Sequence, residues 1–315
     1  MPAPSIDVVV PVHGKWELTE KCLRSLSAQT AEHRVIVVDD ASPDDTQLHL
    51  RQDWPGVHVI SSSTNVGFAA ACNLGIRAGS GDIVVLVNND VVAAPDMLAE
   101  IVAPFQRAEV GTSTPLLLAP DGTVDAFGIC VDPTLAGYVR LHGAANDRDP
   151  RPAYRLVGPY GAVAAYRRVA LDQVGLLDEG IFMYGEELDL ALRLSAAGWT
   201  PAEAPGARGV HLGGGTSGRG SRTQRERSAF GRGYLLRAWG VLRGRQAVRT
   251  LAIEAMVCLA DLVLSRDLAS TRGRFAGYRA GRAAAPRPHH VPDVDDRIGF
   301  RAAVALRRGD PGQLA

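Results

Sequence analysis

Asn88, Asn89 and Asp90 directly follow residues 83–87, the most hydrophobic run of the sequence. A carboxylate flanked by amide oxygens can bind a hard divalent cation, and the same cation can bind a diphosphate. Such a cation neutralises the charge that develops on a departing nucleotide. The triplet is equally typical of a polar turn that ends a strand. Both interpretations stay open at this point.

Two other hydrophobic runs end in residues suited to contact a nucleotide. Residues 34–38 lead into a carboxylate pair that can accept hydrogen bonds from a base or a ribose, while Ser42 or Asp44 is placed to cap the next helix. Residues 6–10 lead into a proline-containing turn. The candidate nucleotide-binding residues at these two ends are Pro11, Val12, Asp39 and Asp40, together with Asn88 and Asn89.

The segment from Asn65 to Asn73 is a loop that runs into a helix. Gly67 permits close approach of a ligand to the backbone, and a helix N-terminus favours an anionic group. We therefore add Asn65 and Gly67 to the candidate nucleotide-binding residues. An ordinary connection between a loop and a helix is the alternative.

Glu186, Glu187 and Asp189 place three carboxylates within four positions of a predicted helix. Clustered carboxylates repel one another, which raises a pKa, and one of them can take the proton from an attacking hydroxyl. The alternative is an acidic helix start stabilised by the helix dipole, with Asp189 paired to Arg193.

His211 precedes a glycine-rich stretch that ends at Gly220. A neutral imidazole can complete the coordination of a cation, so the candidate metal ligands are Asn88, Asp90 and His211. A lone histidine is more often structural. We interpret residues 206–220 as a loop that can act as a mobile lid.

Alternating strands and helices must position these residues. Strands are predicted at 6–12, 34–40, 57–60, 83–87 and 157–167, and helices at 18–29, 69–78, 95–105, 169–174 and 184–197. This alternation predicts an α/β fold with a mostly parallel sheet flanked by helices on both faces. Ligands of such sheets bind beyond the carboxyl ends of the strands, so the candidate residues are expected to share one edge.

The charge is distributed unevenly along the 315 residues. Residues 1–204 contain 26 of the 34 acidic and 14 of the 34 basic residues, whereas residues 205–315 contain the other 8 acidic and 20 basic residues. The acidic part suits a cation, and the basic part suits an anionic surface or the acidic part itself. The four cysteines form no CxxC pair, and we see neither a signal peptide nor a run of 18 apolar residues, so we predict a cytoplasmic protein.

Taken in order, these motifs resemble family 2 glycosyltransferases, especially their bacterial rhamnosyltransferase-like branch. The resemblance extends over about residues 5–240. It is carried by VVVPV at 8–12, VVDDAS at 37–42, NVGFA at 65–69, NND at 88–90, GLLDE at 175–179, FMYGEELDL at 182–190 and His211.

The resemblance implies a GT-A fold, a nucleotide-diphospho-sugar donor, Mg²⁺ or Mn²⁺, and inversion at the anomeric carbon. Asp39 and Asp40 resemble the nucleotide-recognising acids, and Glu187 lies where the family has its general base. Asn88 replaces an aspartate of the metal motif, and Glu187 is one methylene longer than the usual base. Glu186 and Asp189 therefore stay candidates for the base.

The branch favours transfer of L-rhamnose from dTDP-rhamnose to a glycan or lipid-linked acceptor, in assembly of cell-surface glycan or glycolipid; a UDP-sugar is the alternative donor. A nucleotidyltransferase would need a basic glycine-rich loop after the first strand, which Pro11–Trp16 lacks. A non-catalytic nucleotide-sugar-binding protein is the alternative of another class.

We divide the chain into a catalytic domain at 1–222, a basic helical extension at 223–282 and a poorly ordered tail at 283–315. Arginines on the extension flank an apolar face containing Leu235, Leu236, Trp239 and Leu242. Such a helix can lie on an anionic membrane, so we predict peripheral contact with the inner face of the plasma membrane. Docking of the extension onto the acidic domain is the alternative. No nucleic-acid-binding module is recognisable.

Overall fold

A computed structural model describes residues 4–146, 153–213, 221–288 and 290–308. The strands are β1 (Ile6–Val12), β2 (Arg34–Asp40), β3 (His58–Ser62), β4 (Ile83–Val87), β5 (Val91–Ala93), β6 (Val110–Leu118), β7 (Val124–Ala126), β8 (Ile129–Val131), β9 (Gly137–Val139), β10 (Val163–Arg167) and β11 (Thr200–His211). The helices are α1 (Trp16–Ser27), α2 (Thr46–Asp53), α3 (Phe68–Ala78), α4 (Met97–Val102), α5 (Arg168–Val174), α6 (Glu186–Ala196), α7 (Arg222–Ala238), α8 (Ala247–Ser265), α9 (Ala269–Ala280) and α10 (Phe300–Arg308).

A nine-stranded mixed sheet forms the centre of the molecule, in the order β3-β2-β1-β4-β10-β6-β11-β5 with β7 beside β6. The first four strands of the chain pair in parallel. Strand β10 then runs antiparallel to both β4 and β6. The parallel half confirms the predicted α/β class and brings the ends of β1, β2 and β4 to one edge.

The β-branched runs predicted as strands lie in the middle of this sheet because both of their faces are covered. In β1, Val8, Val9 and Val10 are fully buried. Val8 and Val10 belong to the hydrophobic layer that includes α1 and α4. Val9 belongs to the opposite layer, which includes α3, α5 and α6. Strands buried on both faces are expected to be continuously hydrophobic, as these are.

Strand β11 corrects the prediction of a loop that begins at residue 206. The strand runs parallel to β6, with a register irregularity between Ala204 and Arg208, and it ends at His211, beside β5. Its alanine, proline and glycine residues have low β propensity, which hid it from the sequence pattern. Residues 214–220, the rest of the predicted lid, lie outside the described residues.

The basic extension packs on the catalytic domain through its apolar side chains. Leu235, Leu236 and Trp239 are buried in a cluster with Leu188 and Leu192 of α6. The apolar face on which we based membrane contact is therefore covered by protein. Helices α7 and α9 lie so close together that a Cβ added to Gly277 of α9 would be 1.9 Å from the Phe230 carbonyl oxygen of α7.

The range 283–308 contributes buried side chains as well. Val291 and Ile298 are buried, and Asp295 accepts a hydrogen bond from the Arg155 backbone N–H at 2.9 Å.

Within the described ranges, no helix has both the length and the hydrophobicity that crossing a bilayer requires.

Candidate active site

A cleft of about 220 Å³ lies at the carboxyl edge of the parallel strands. It collects side chains from four strand ends, from the loop before α3, from the start of α6 and from the first turns of α7. The predicted residues that line it are Pro11, Val12, Asp40, Asn65, Gly67, Asn88, Asn89, Asp90, Glu186, Glu187 and His211. Asp39 and Asp189 were predicted to belong to the same site and do not line it.

Asp90 and His211 meet inside this cleft. The turn after β4 is fixed to β11, because the Asp90 carbonyl accepts a 2.8 Å hydrogen bond from the Leu212 backbone N–H. Asp90 Oδ1 lies 3.3 Å from His211 Nε2. On the other side of the ring, His211 Nδ1 lies 2.7 Å from Asp125 Oδ2. Since a carboxylate only accepts, Nδ1 carries the hydrogen and Nε2 faces Asp90.

The two carboxylates also control the charge of the imidazole. Burial alone would lower the pKa of His211, but hydrogen bonding and charge from Asp125 and Asp90 raise this pKa to about 9. The ring is therefore protonated near neutral pH when only these carboxylates surround it. A cation that used Nε2 would have to displace that proton.

Two oxygens of the Asn88–Asp90 turn fit a divalent cation. Both oxygens are buried. Asn88 Oδ1 accepts no hydrogen bond, and Asp90 Oδ1 has the His211 imidazole 3.3 Å away. Buried acceptors are normally satisfied, so these two atoms have coordination capacity to spare. A hard cation prefers such amide and carboxylate oxygens, and His211 Nε2 can add an imidazole nitrogen. Among the described residues, no group of three or more His, Cys, Asp and Glu side chains could hold a metal ion.

Asp40 shapes the opposite wall of the cleft. Its two carboxylate oxygens accept backbone hydrogen bonds from Val66 at 2.7 Å and from Gly67 at 3.0 Å. Gly67 has φ +90, and a Cβ added there would lie 2.6 Å from the Phe182 ring, so only glycine fits. Asp40 thus fixes the loop in which we predicted nucleotide contact.

Asp39 and Asn89 hold neighbouring turns. Asp39 Oδ1 accepts the Ser42 backbone N–H at 3.0 Å. The Asn89 amide donates to the Thr19 hydroxyl at 2.9 Å and so connects the end of β4 to α1. Asp39 does not line the cleft, so Asp40 is the member of the pair that borders it.

Glu186 and Glu187 begin α6 at the far end of the cleft. Burial raises the pKa of Glu186 well above its usual value, and the charge of Glu187 raises it further. Burial also raises the pKa of Glu187. Glu186 Oε2 accepts no hydrogen bond, whereas Glu187 Oε2 accepts one from the Gly185 backbone N–H at 3.0 Å. A carboxylate with a raised pKa is suited to accept a proton.

Asp189 belongs to a buried ion-pair network and does not line the cleft. Its Oδ2 lies 2.8 Å from Arg193 Nε, and its Oδ1 lies 2.9 Å from Arg287 Nε. The Trp239 indole N–H donates to Oδ1 as well, at 2.9 Å. The alternative prediction, a pair between Asp189 and Arg193, is the arrangement in the structure.

A second cavity of about 530 Å³ adjoins the cleft on the side of the helical extension. Glu187, Tyr160, Tyr184 and Gln224 line both spaces. The rest of the second cavity's lining combines apolar side chains with the hydroxyls of Tyr138, Ser228 and Ser270 and with basic side chains, among them Arg232 and Arg274. Glu187 therefore lies at the boundary between two spaces that can each hold a ligand.

Sequence reasoning missed Asp125, Gln224 and Arg227. Asp125 lies on β7 in a region without clear periodicity, so no local signal marked it. Arg227 lines the cleft, and its guanidinium lies 4.7 Å from the centre of the Phe182 ring. Its position shortly after the glycine-rich stretch was the only available signal.

Comparison with known proteins gives consistent matches. Residues 7–175 match the model of glycosyl transferase family 2. The N-acetylglucosaminyl-diphospho-decaprenol L-rhamnosyltransferase of Mycobacterium tuberculosis is 31% identical over 235 residues, which is 65% of this chain and 75% of that protein. An N-acetylglucosaminyltransferase of Mesorhizobium japonicum is 28% identical over 225 residues, covering 65% of this chain and 51% of that protein.

Solved structures share the fold. The mannosyltransferase PcManGT from Pyrobaculum calidifontis, in complex with GDP-Man and Mn²⁺, superposes with a TM-score of 0.54 at 21% identity, covering 97% of this chain and 79% of that one. GalNAc-T7 with UDP, GalNAc and Mn²⁺ superposes with a TM-score of 0.59 at 17% identity, covering 81% of this chain and 55% of that one.

Proposed function

The chain belongs to glycosyltransferase family 2, and from that premise we propose that it transfers L-rhamnose from dTDP-rhamnose to a hydroxyl of a lipid-linked glycan acceptor. It is a nucleotide-sugar-dependent glycosyltransferase. The choice of rhamnose follows the mycobacterial L-rhamnosyltransferase, which is 31% identical. A UDP-sugar is the alternative donor.

One observation supports this function above the others. Two buried side-chain oxygens of this cleft, Asn88 Oδ1 and Glu186 Oε2, accept no hydrogen bond, and a third, Asp90 Oδ1, lies 3.3 Å from the His211 imidazole. Leaving a buried acceptor unsatisfied costs about 1–3 kcal/mol. A cleft that retains two such acceptors beside a buried carboxylate is better explained by a ligand that supplies cations or donors than by packing.

We propose that Asn88, Asp90 and His211 would hold Mg²⁺ or Mn²⁺. When bound, the cation supplies charge neutralisation for the diphosphate leaving group. The loop at Asn65–Gly67, fixed by Asp40, would contact the nucleotide. Arg227, at the rim of the cleft, adds a positive charge for the diphosphate.

We propose Glu187 as the general base. The acceptor hydroxyl forms a bond to the anomeric carbon while the bond from that carbon to the nucleotide diphosphate breaks, and the hydroxyl proton passes to the carboxylate. Glu187 is favoured because it faces both the cleft and the second cavity. The second cavity is accordingly assigned to the acceptor. Glu186 lines the cleft only and stays the alternative base.

A panel of nucleotide-sugars tests the donor. Thermal unfolding is measured with dTDP-rhamnose, dTDP-glucose, UDP-GlcNAc and GDP-mannose, each with and without Mn²⁺. A ligand at a hundred times its dissociation constant stabilises the fold by about 2.7 kcal/mol. We expect the largest increase with dTDP-rhamnose, and only with Mn²⁺ present. A larger increase with a UDP-sugar would select the alternative donor, and no increase with any of them would refute donor binding.

Peripheral contact with an anionic membrane remains part of the proposed function, since a lipid-linked acceptor resides in a bilayer. The apolar face that we predicted to contact the membrane, which contains Leu235, Leu236 and Trp239, is buried. Membrane contact therefore requires another surface.

A further inference from the structure

Helix α8 buries polar side chains and exposes hydrophobic ones, which is the opposite of an ordinary surface helix. Surface helices normally direct apolar side chains to the core and charged ones to solvent. Here only Thr250, Ile253 and Glu254 are buried, two of them polar. The large exposed hydrophobic side chains of α8 are Val248, Leu251, Met256, Leu259, Leu262, Val263 and Leu264.

The charged residues of α8 all have partners within the protein. Arg249 donates to the Ile298 carbonyl at 2.9 Å. Glu254 lies 2.7 Å from both Arg232 and Arg274, and Asp261 lies 3.1 Å from Arg225. Burial raises the pKa of Glu254, but the two arginines lower it below its usual value. The outward face of α8 is therefore left without a charge along the whole helix.

The hydrophobic side chains on the outside of α8 are exposed enough to indicate a binding partner. Val263 is 66% exposed and Leu259 62% exposed, and Phe275 of the adjacent α9 is 73% exposed. Single exposed apolar residues are normal, but a contiguous apolar patch marks a contact with protein or membrane. We define the α8 face as Val248, Leu251, Met256, Leu259, Leu262, Val263 and Leu264.

The charges around the α8 face are positive. Arg243 and Arg245 precede α8 and are exposed, and Arg266 directly follows it and is exposed. The acidic residues between 239 and 282 are Glu254, Asp261 and Asp267, and each of them is paired with an arginine. An apolar strip with cations at both ends complements an anionic bilayer, whose interior takes the strip and whose headgroups take the arginines.

A second copy of the chain complements this surface less well. A two-fold contact uses the same patch on both partners. Pairing the α8 faces would bring the arginines of the two copies towards each other, with no exposed carboxylate from residues 239–282 between them. Charge complementarity thus favours lipid over self-association.

We propose that the α8 face docks the protein on an anionic lipid bilayer, with α8 lying along the membrane interface. Val257 of the same helix lines the second cavity. If the proposed function is right, docking at the α8 face places the proposed acceptor cavity directly behind the membrane-bound helix. The docking surface itself does not depend on which sugar is transferred.

Vesicle flotation of the full chain tests the proposal. Vesicles contain either phosphatidylcholine alone or phosphatidylcholine with phosphatidylglycerol. The test variant is Leu259→Glu/Val263→Glu, which places two charges one turn apart on the α8 face. The matched control is Leu48→Glu/Val169→Glu, because both residues are exposed hydrophobics on α2 and α5, at 52% and 59%.

We expect the unaltered protein and the control variant to float with the anionic vesicles, and the test variant to bind them roughly tenfold more weakly or worse. Thermal unfolding and stabilisation by the nucleotide-sugar should be the same for all three proteins, which separates this test from that of the donor. Should the test variant lose stability, Leu259→Ala/Val263→Ala makes the same comparison without added charge.

Three results would overturn the proposal. The unaltered protein could fail to float with either vesicle, or the test variant could float as well as the control. Sedimentation could also show a dimer that the test variant abolishes, with no flotation, in which case the α8 face binds a second copy.

Discussion

Asp125 holds His211 through a 2.7 Å hydrogen bond between its Oδ2 and the imidazole Nδ1. This bond fixes the orientation of the ring and leaves Nε2 facing the cleft. Residues that orient a metal ligand in this way contribute substantially to metal affinity. Asp125 is therefore a positioning residue for the proposed cation site, although it does not line the cleft itself.

Replacing Asp125 by asparagine should weaken Mn²⁺ binding about 10- to 100-fold, because a neutral amide oxygen is a weaker acceptor than a carboxylate and makes the imidazole a poorer ligand. Titration calorimetry with MnCl₂ measures the change. Asp172→Asn, on the exposed side of α5, is the matched control and should bind Mn²⁺ normally. Equal affinity of both variants would exclude a positioning role of Asp125 in the cation site.

The affinity for Mn²⁺ should rise with pH. Asp125 and Asp90 raise the pKa of His211 to about 9 against the effect of burial. Below that pH a cation must displace a proton from Nε2, so its affinity is reduced about tenfold for each pH unit below the pKa. Calorimetry at pH 7, 8 and 9 in buffers of different ionisation enthalpy reports both the affinity and the proton released. In His211→Asn the affinity for Mn²⁺ should depend less steeply on pH. A pH-independent affinity of the unaltered protein would refute ligation by His211.

Glu187→Gln should lower kcat about 10²- to 10⁴-fold, because the amide cannot accept the proton of the acceptor hydroxyl. Stabilisation of the fold by donor and Mn²⁺ should persist, since the proposed donor site keeps its other residues. Glu187→Asp should retain part of the activity. Glu20→Gln, on the surface of α1, is the control for loss of a carboxylate. Unchanged turnover of Glu187→Gln, with a large loss in Glu186→Gln, would transfer the role of base to Glu186.

Glu186→Gln should stabilise the protein at neutral pH. Burial and the charge of Glu187 raise the pKa of Glu186 well above its usual value. The ionised form is thus disfavoured in the folded state, and stability falls as pH rises above the unfolded-state pKa. Glutamine removes this penalty, so the gain should be absent near pH 4 and reach about 1–3 kcal/mol at pH 8. Urea unfolding at the two pH values measures this gain in stability. If Glu186→Gln lost the same stability at both pH values, the raised pKa of Glu186 would be contradicted.

The sequence predicted much of the cleft because its residues follow strongly hydrophobic strands. Val8–Val10 and residues 83–87 are β-branched runs that fit only the centre of a parallel sheet, and the ends of neighbouring parallel strands must share an edge. Asn88, Asp90 and Asp40 were located by that rule. The rule does not say which way a side chain points, which is why Asp39 was included.

The remaining features depend on contacts between distant segments. Asp125 meets His211 across 86 positions of the chain, and strand β11 that brings His211 there consists of residues with little β propensity. The α8 face was missed for a different reason. Its hydrophobic side chains face outward because Arg225, Arg232 and Arg274 pair with Glu254 and Asp261 and turn these acidic residues inward.

Asp189→Asn should destabilise the protein without impairing chemistry. Asp189 is completely buried between Arg193 and Arg287, and removing its charge leaves Arg193 without its carboxylate partner. Breaking a buried ion pair from one side costs about 3–5 kcal/mol, and the midpoint of urea unfolding should fall accordingly. Turnover per folded molecule, measured well below that midpoint, should match the unaltered enzyme. Asp172→Asn again serves as the control. If Asp189→Asn kept full stability and lost turnover, Asp189 would be the base, and the buried network with Arg193 and Arg287 would have to open during the reaction.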